Sequence, residues 1–497
     1  MENYDYVILG SGFGGLAISS LLANKGKSVC LIEANSILGG YSHTIKKGKY
    51  KFCHGVHYLM GLEDNGPMHT FFKKLNLDEK IKFNKFDEND YDTLYIDGIK
   101  FEIPLGLDNY LKKLIQLFPE HEKNLKKYFE IEKKIFYEAN VHERIFTIKD
   151  VLKKPWKYLT IIKYHRHTLE DVFKKFNFPT KLRAILSARL GDLSASPNEV
   201  SFLMYAAMDV AYSLSAYYPK KGMEDLINEI SKIILNNKKC KILLNTKVEE
   251  IYYEENKISK IKTNKGFIQG KTFISNIDPK KTFNLIKNYN APYYYKKKLN
   301  YDYSDSLFSI YLGLKNFDVK NLKKTNIWHY SDLDLNKLYI NQVKKNNFSK
   351  PWFFISIPSI LVDENVLCPK NHATMEILTA TNYDYFKKLN KNKLSYKKKV
   401  NEITNHFLDI IEEKYFPKLR NHIDEIIVYS PLEIEKNLNI PFGNFYGQRL
   451  IPKNISVTKL NSTTPIKNLF LVGATVSFPG IMGVTVCAMD LFHKLED

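Results

Sequence analysis

The sequence predicts an α/β fold of two interleaved parts, on three observations. An apolar run, Tyr6 to Leu9, leads straight into a glycine-rich turn and then a helical pattern, Leu16 to Ala23. A second apolar run, Ser28 to Ile32, ends in an acid, Glu33. A third, Lys467 to Val472, ends in Gly473 near the other end of the chain, and another helical pattern follows, Thr485 to Leu495. Strand, glycine turn, helix and strand in succession read as a parallel β-α-β unit. Its counterpart at the far end implies that distant segments share one sheet.

The first turn reads Gly10-Ser11-Gly12-Phe13-Gly14-Gly15, a G-x-G-x-x-G spacing between strand and helix. Gly10 permits the tight turn, Gly12 lets the backbone approach a pyrophosphate, and Gly15 lets the helix pack closely. Phosphates then meet free N–H groups at a helix N-terminus. Glu33, 18 residues past Gly15, can accept hydrogen bonds from an adenosine ribose. In this context the motif predicts a Rossmann-like dinucleotide site. Ser11, Phe13, Gly14 and Ala34 join Gly10, Gly12, Gly15 and Glu33 as expected cofactor-binding residues.

The next motif is Gly39-Gly40-Tyr41-Ser42-His43-Thr44. A glycine pair after the ribose-binding acid resembles the extended fingerprint of FAD enzymes related to amine oxidases. At the far end, Leu469 to Met489 is 21 residues without a charge, long enough to raise the question of a membrane span. Pro479 and the glycines 473, 480 and 483 divide it into strand, loop and helix. That division resembles the C-terminal flavin-binding segment of the same superfamily, in which N–H groups at a helix start face the flavin edge where negative charge grows on reduction. The resemblance adds Gly39, Gly40, Ser42, His43, Val248, Gly473, Ala474, Gly483 and Val484 to the expected cofactor contacts, and FAD as the cofactor.

Further motifs narrow the family. Phe52-Cys53-His54-Gly55-Val56-His57-Tyr58, after Gly39-Gly40 and His43-Thr44, resembles the retinol saturase branch of the phytoene desaturase and carotenoid isomerase family. Tyr218-Pro219-Lys220-Lys221-Gly222, Thr246-Lys247-Val248, Ile274-Ser275-Asn276, Gly443 to Gly447 with Tyr446, and Phe478-Pro479-Gly480 are similar to its later motifs. The chain departs from the pattern at Cys53 (usually Asp), Tyr41 (often Arg), Lys221 (the first glycine of a pair) and Ala474 (an acid in many members).

Composition sets bounds. With 497 residues, 44% hydrophobic and 26% charged, the chain is long enough for two sizeable cores. Its net charge of +20 suits an anionic membrane surface. Nucleic acid is not expected, because no recognisable binding module or arginine-rich arm accompanies the charge. The abundance of Lys, Asn, Ile and Tyr looks like the codon bias of an AT-rich genome and accounts for most of the charge. Five scattered cysteines suggest no disulfide framework and favour a reducing compartment. The first strand starts by Tyr4, so no signal peptide is expected. The expected place is the cytoplasm, peripheral to a membrane.

Segments 1–62, 218–290 and 425–497 carry the cofactor motifs and should assemble one domain. Segment 63–217 reads mainly helical. Segment 291–424 mixes strands (Leu307 to Leu314, Trp352 to Ile357, Ala373 to Ala380) with a helix near Lys399 to Glu413. Together these two form the expected substrate domain. Within it, Asp150 to His167 interleaves cations with Trp156, Tyr158 and aliphatic residues, as in an interfacial helix or an amphipathic helix packed on its own domain. Gly266 to Thr272 falls one residue short of a P-loop and reads as a hairpin. His54-x-x-His57 and His165-x-His167 have metal-like spacing without a third ligand, so no metal is expected.

The family resemblance implies an FAD-dependent oxidoreductase acting on carbon–carbon bonds of a hydrophobic polyene. Desaturation, saturation and isomerisation all remain open, as does the oligomeric state. His57, Tyr58 and Tyr446 are the expected proton-handling residues, from their place near the flavin in that family. Two alternatives share the fold: a flavin amine oxidase, and a prenyl-binding protein of the Rab GDP-dissociation inhibitor type. The latter typically degrades the first glycine fingerprint, which is intact here.

Overall fold

Short apolar runs at both ends and in the middle of the chain pair with one another, which threads the backbone repeatedly between two sheets. The computed structural model describes residues 3–139, 144–187, 189–455 and 459–496. Asn3–Leu9 lies inside an eight-stranded sheet. Val29–Ile32 and then Lys241–Leu243 run parallel to it on one side. On the other side, Gly266–Ser275 and then Leu469–Leu471 are also parallel. Val248–Glu254, Lys257–Thr263 and the start of Gly266–Ser275 form an antiparallel meander.

Parallel strands need cover on both faces, and Val7, Ile8, Cys30 and Leu31 are fully buried. The helix Phe13–Asn24, buried from Phe13 to Ala23, packs against Gly480–Glu496. The long uncharged run therefore divides into strand, loop and helix. Among the described residues no helix is long and apolar enough to cross a membrane.

The second sheet has seven strands, ordered Ile423–Tyr429, Ser306–Lys315, His372–Thr381, Trp352–Ser356, Asn326–Tyr330, Asp92–Ile96, Ile99–Ile103. All neighbours are antiparallel except Asn326–Tyr330 with Asp92–Ile96. The three strands expected within 291–424 are present, and the expected helix lies inside Lys393–Lys414. Segment 63–217 is mainly helical and also supplies the Asp92–Ile96 and Ile99–Ile103 hairpin, turned by Asp97-Gly98 with φ of 44° and 82°, a pairing that suits a tight hairpin. One expectation needs correction. The boundary placed at 425 falls inside Ile423–Tyr429, which the pairing with Ser306–Lys315 assigns to the second sheet.

The stretch from Asp150 to His167 is not one helix. Pro155 cannot continue a helical hydrogen-bond ladder, and short turns Ile148–Lys153, Pro155–Lys157 and Leu159–Tyr164 follow one another. Gly266 to Thr272 lies in one arm of a hairpin with Lys257–Thr263. All five cysteines are buried as thiols.

One buried side chain ties the second sheet together. Gln342 Nε2 donates to Thr379 Oγ1 (2.6 Å) and the Ala380 carbonyl (3.0 Å), and Gln342 Oε1 accepts from the Trp352 amide (2.8 Å). Gln342→Leu would leave these groups unpaired, so it should destabilise the protein by about 1–3 kcal/mol. The denaturant midpoint, followed by tryptophan fluorescence, checks this.

Candidate cofactor and substrate cavity

The parallel strands end together, and the glycine turns stack there backbone on backbone. Gly10 bends the first turn with φ +91°. A Cβ on Gly15 would lie 2.1 Å from the Gly10 carbonyl oxygen, so only glycine lets the helix start this close to the strand. The second glycine pair sits on the first turn: the Gly39 amide donates to the Ser11 carbonyl (3.0 Å), and a Cβ on Gly40 would meet Gly12 Cα at 3.2 Å. Asn276 packs behind both, with its amide donating to the Leu9 carbonyl (2.8 Å). No side chain caps the helix Phe13–Asn24, and no acid stands in its first turn. Its N-terminal N–H groups are left for an anion.

A carboxylate clasp holds this cradle. The Ser11 amide and hydroxyl donate to Glu33 Oε2 (2.9 and 2.6 Å), and the Asn35 amide donates to Glu33 Oε1 (2.8 Å). The Thr246 amide donates to the Glu33 carbonyl, which brings Thr246 to Val248 to the same end. At the other end, a Cβ on Gly14 would lie 3.4 Å from Val484 and 3.5 Å from Gly473. The helix Gly480–Glu496 therefore begins beside the first helix, and it too has no acid in its first turn.

A cavity of about 690 Å3 runs from this cradle between the two sheets. Of the expected cofactor residues, Gly10, Gly12, Phe13, Gly14, Glu33, Ala34, Gly39, Gly40, Ser42, Val248, Gly473, Ala474, Gly483 and Val484 line it. Three stand behind the lining instead. Ser11 is engaged by Glu33, and Gly15 packs on Gly10. The His43 ring bonds the Gly40 carbonyl (2.7 Å) and packs on His54 at 5.2 Å.

Beyond the cradle the cavity widens into a chamber walled by Trp328, Trp352, Phe354, Leu378, Met204 and Met208. His57, Tyr58 and Tyr446 all line it. His57 Nδ1 lies 3.0 Å from Glu376 Oε2, poorly aligned for a hydrogen bond, while Nε2 has no partner among the described residues. Glu376, fully buried, also accepts from the Cys53 amide (2.8 Å). Burial raises the Glu376 carboxyl, and His57 opposes that. The Tyr58 hydroxyl donates to Asp92 Oδ1 (2.7 Å), and its ring stands edge-on to Tyr212 at 5.0 Å. Burial raises the Tyr58 and Tyr446 phenols well above their ordinary range, so both stay neutral. The Tyr446 amide donates to Ser304 Oγ (2.9 Å), just before the strand Ser306–Lys315.

Sequence reasoning missed Glu376, Asp92, Asp192 and the two tryptophans. They come from strands and a short turn without motifs, and only sheet pairing brings them together. His54 and His57 do not share a site: His54 packs edge-on to Tyr311 and Tyr41. His165 Nδ1 lies 2.6 Å from the Ile162 carbonyl.

Comparison with known proteins agrees with this geometry. The family model for an NAD(P)-binding Rossmann-like domain matches residues 8–75. The all-trans-retinol 13,14-reductase of Danio rerio is 25% identical, over 98% of this chain and 85% of that one. The 1-hydroxycarotenoid 3,4-desaturase of a Flavobacterium sp. (strain P99-3) is 26% identical over 97% and 96%. Prolycopene isomerase 2 of an Oncidium hybrid cultivar is 25% identical over 99% and 85%. Among solved structures, cyclohexylamine oxidase from Brevibacterium oxydans IH-35A superposes with a TM-score of 0.66 at 15% identity, covering both chains fully, and shares the fold. Over nearly its whole length the chain is thus similar to a retinol reductase, a carotenoid desaturase and a carotenoid isomerase, and it shares the fold of a flavin-type amine oxidase.

Proposed function

We propose that the protein is an FAD-dependent oxidoreductase acting on carbon–carbon bonds of a hydrophobic polyene. The observation that carries this reading is the single cavity joining the glycine cradle to an aromatic chamber. An uncapped helix start, a second helix start beside it and a cradle that any Cβ would fill suit a dinucleotide with a pyrophosphate. Glu33, Ala34 and Val248 would hold its adenosine end, and Gly473, Ala474, Gly483 and Val484 its flavin end. FAD bound there supplies two-electron hydride chemistry. The chamber walls exclude water and align a long apolar substrate by shape. The amine oxidase alternative rests on fold alone, and the intact cradle argues against a binding protein that has lost its cofactor.

The relatives include a reductase, a desaturase and an isomerase, so turnover has to be assayed in both redox directions. Protein purified gently and then denatured should release FAD, read by mass spectrometry and flavin absorbance. Gly12→Val should release none while keeping its far-ultraviolet circular dichroism, because a Cβ there would lie 2.8 Å from Asn276 Nδ2 and push apart the turns that form the cradle. A prenyl lipid without flavin would refute the enzyme reading.

Among His57, Tyr58 and Tyr446, His57 keeps a ring nitrogen open, whereas Tyr58 gives its hydrogen to Asp92. His57→Phe should lower turnover by about 100-fold or more with flavin retained. Full turnover would remove His57 from proton handling.

We place the substrate's source in an anionic bilayer. Leu152, Trp156 and Leu159 are 73%, 65% and 62% exposed, with exposed Lys149, Lys153, Lys154, Lys157 and Lys163 between and around them. The Thr160 and Ile161 amides donate to Glu138, which places this face beside Tyr137, an exposed residue of the cavity lining. Apolar tips among lysines suit a lipid surface. Leu152→Glu with Trp156→Glu should abolish sedimentation with phosphatidylserine vesicles and leave turnover of detergent-dissolved polyene unchanged.

A further inference from the structure

We infer that Asp192 is the group that exchanges a proton with the substrate carbon skeleton in this chamber. The inference rests on the oxidoreductase reading above. Asp192 belongs to the tight turn Leu190–Leu193 and lines the cavity. The turn is locked in place: a Cβ on Gly191 would come within 2.3 Å of Trp328 and 2.8 Å of Trp352, so its backbone lies against both indoles. Those indoles are chamber walls. The carboxyl is thereby held at the surface a flat conjugated chain would touch.

Its Oδ2 is buried and has no hydrogen-bond partner among the described residues. Other acids along the cavity are already engaged. Glu33 accepts from Ser11, Glu63 from Ser215, and Asp278 from Tyr301 and Tyr303. Behind the wall and outside the lining, Asp92 holds the Tyr58 hydroxyl and Glu376 the Cys53 amide, each keeping its other oxygen without a hydrogen-bond partner among the described residues. Asp192 is the half-buried acid of the lining that keeps one oxygen, Oδ2, without a partner.

The groups facing it come from every surrounding element. His57 and Arg189 favour its charged form, as does the Tyr212 hydroxyl, but burial outweighs them and pushes Asp192 up to about 7. Asp192 lies near enough to Asp92 to disfavour that residue's ionisation. Tyr58, Tyr330, Tyr339 and Tyr446 all feel the charge of Asp192, and burial holds each of them neutral. Unlike these phenols, Asp192 can therefore exchange its proton near neutral pH.

In the desaturating direction the Asp192 carboxylate would take the proton lost from one substrate carbon, and bound FAD would supply the acceptor for the hydride lost from the neighbouring carbon. The electron pair of the C–H bond that gives up the proton becomes the new double bond. Saturation would be the reverse: neutral Asp192 would give its proton to one carbon of the double bond, while the cofactor, in its reduced form, would supply the hydride for the other. The sign of the pH dependence follows. Desaturation needs the carboxylate and should rise through about pH 7, whereas saturation needs the acid and should fall through it.

The test uses flavin-loaded protein, with folding checked by flavin content and melting. Asp192→Asn should lose about 100-fold or more in turnover and lose the limb near neutral pH. Asp192→Glu, which keeps an acid, should retain a limb at a displaced pH. Independently of turnover, a protonated-carboxyl infrared band titrating near pH 7 should be present in the wild type and missing in Asp192→Asn. An active wild type whose Asn variant keeps its rate and limb overturns the assignment, as does an unmoved limb in the Glu variant or an unchanged infrared titration. A wild type inert toward polyenes in both directions would instead overturn the oxidoreductase reading itself.

Discussion

Everything in this molecule depends on how closely backbones approach at the end of the first strand. Gly40 rests on Gly12, Gly15 on Gly10, and Asn276 fills the space behind Gly12, Gly14 and Gly473. Side chains would separate these turns by several ångströms. The two helix starts would then no longer share one cavity, and Glu33 would lose the Ser11 clasp that fixes the turn. The cost is local, since glycine gives up more backbone freedom on folding than other residues. Burial of the helix Phe13–Asn24 along nearly its whole length offsets it.

That constraint explains what was legible in the sequence. A cradle made of backbone leaves a compulsory residue pattern, so the glycines, Glu33 and the final strand and helix could be read directly. The second sheet imposes no such pattern. Asp92–Ile96 and Asn326–Tyr330 are five-residue strands far apart in sequence, and their parallel pairing follows from the fold around them. The turn Asp97-Gly98 was a readable hairpin signal, passed over inside a stretch dominated by helices. Likewise Pro155 was visible, yet the interleaved cations and aromatics suggested one continuous helix.

The chamber residues escaped for a different reason. His57 follows a motif, but Glu376, which stands against it, lies more than 300 positions later on a buried strand. Asp92 and Asp192 are single acids among many in a charged sequence. Burial marks Asp92 and a place in the cavity wall marks Asp192, and both are properties of the tertiary structure. Removing an acid from water without a partner is unfavourable, so Asp92 and Glu376 each accept a hydrogen bond from a neighbour.

The same logic applies to the cation nearest the chamber. Arg189 is buried three residues before Asp192 and could hold it ionised. Its guanidinium instead bonds Asp209 and is enclosed by the rings of Tyr91, Tyr110 and Tyr212. With its charge largely satisfied by Asp209, Arg189 only partly offsets the effect of burial on Asp192. A direct Arg189–Asp192 pair would fix the carboxylate in its charged form and leave nothing to titrate near neutral pH. The Asp209 partnership is thus what separates a structural ion pair from a proton-transfer group. An acid that can hold or release its proton suits a wall against which carbon–hydrogen bonds are made and broken in either direction.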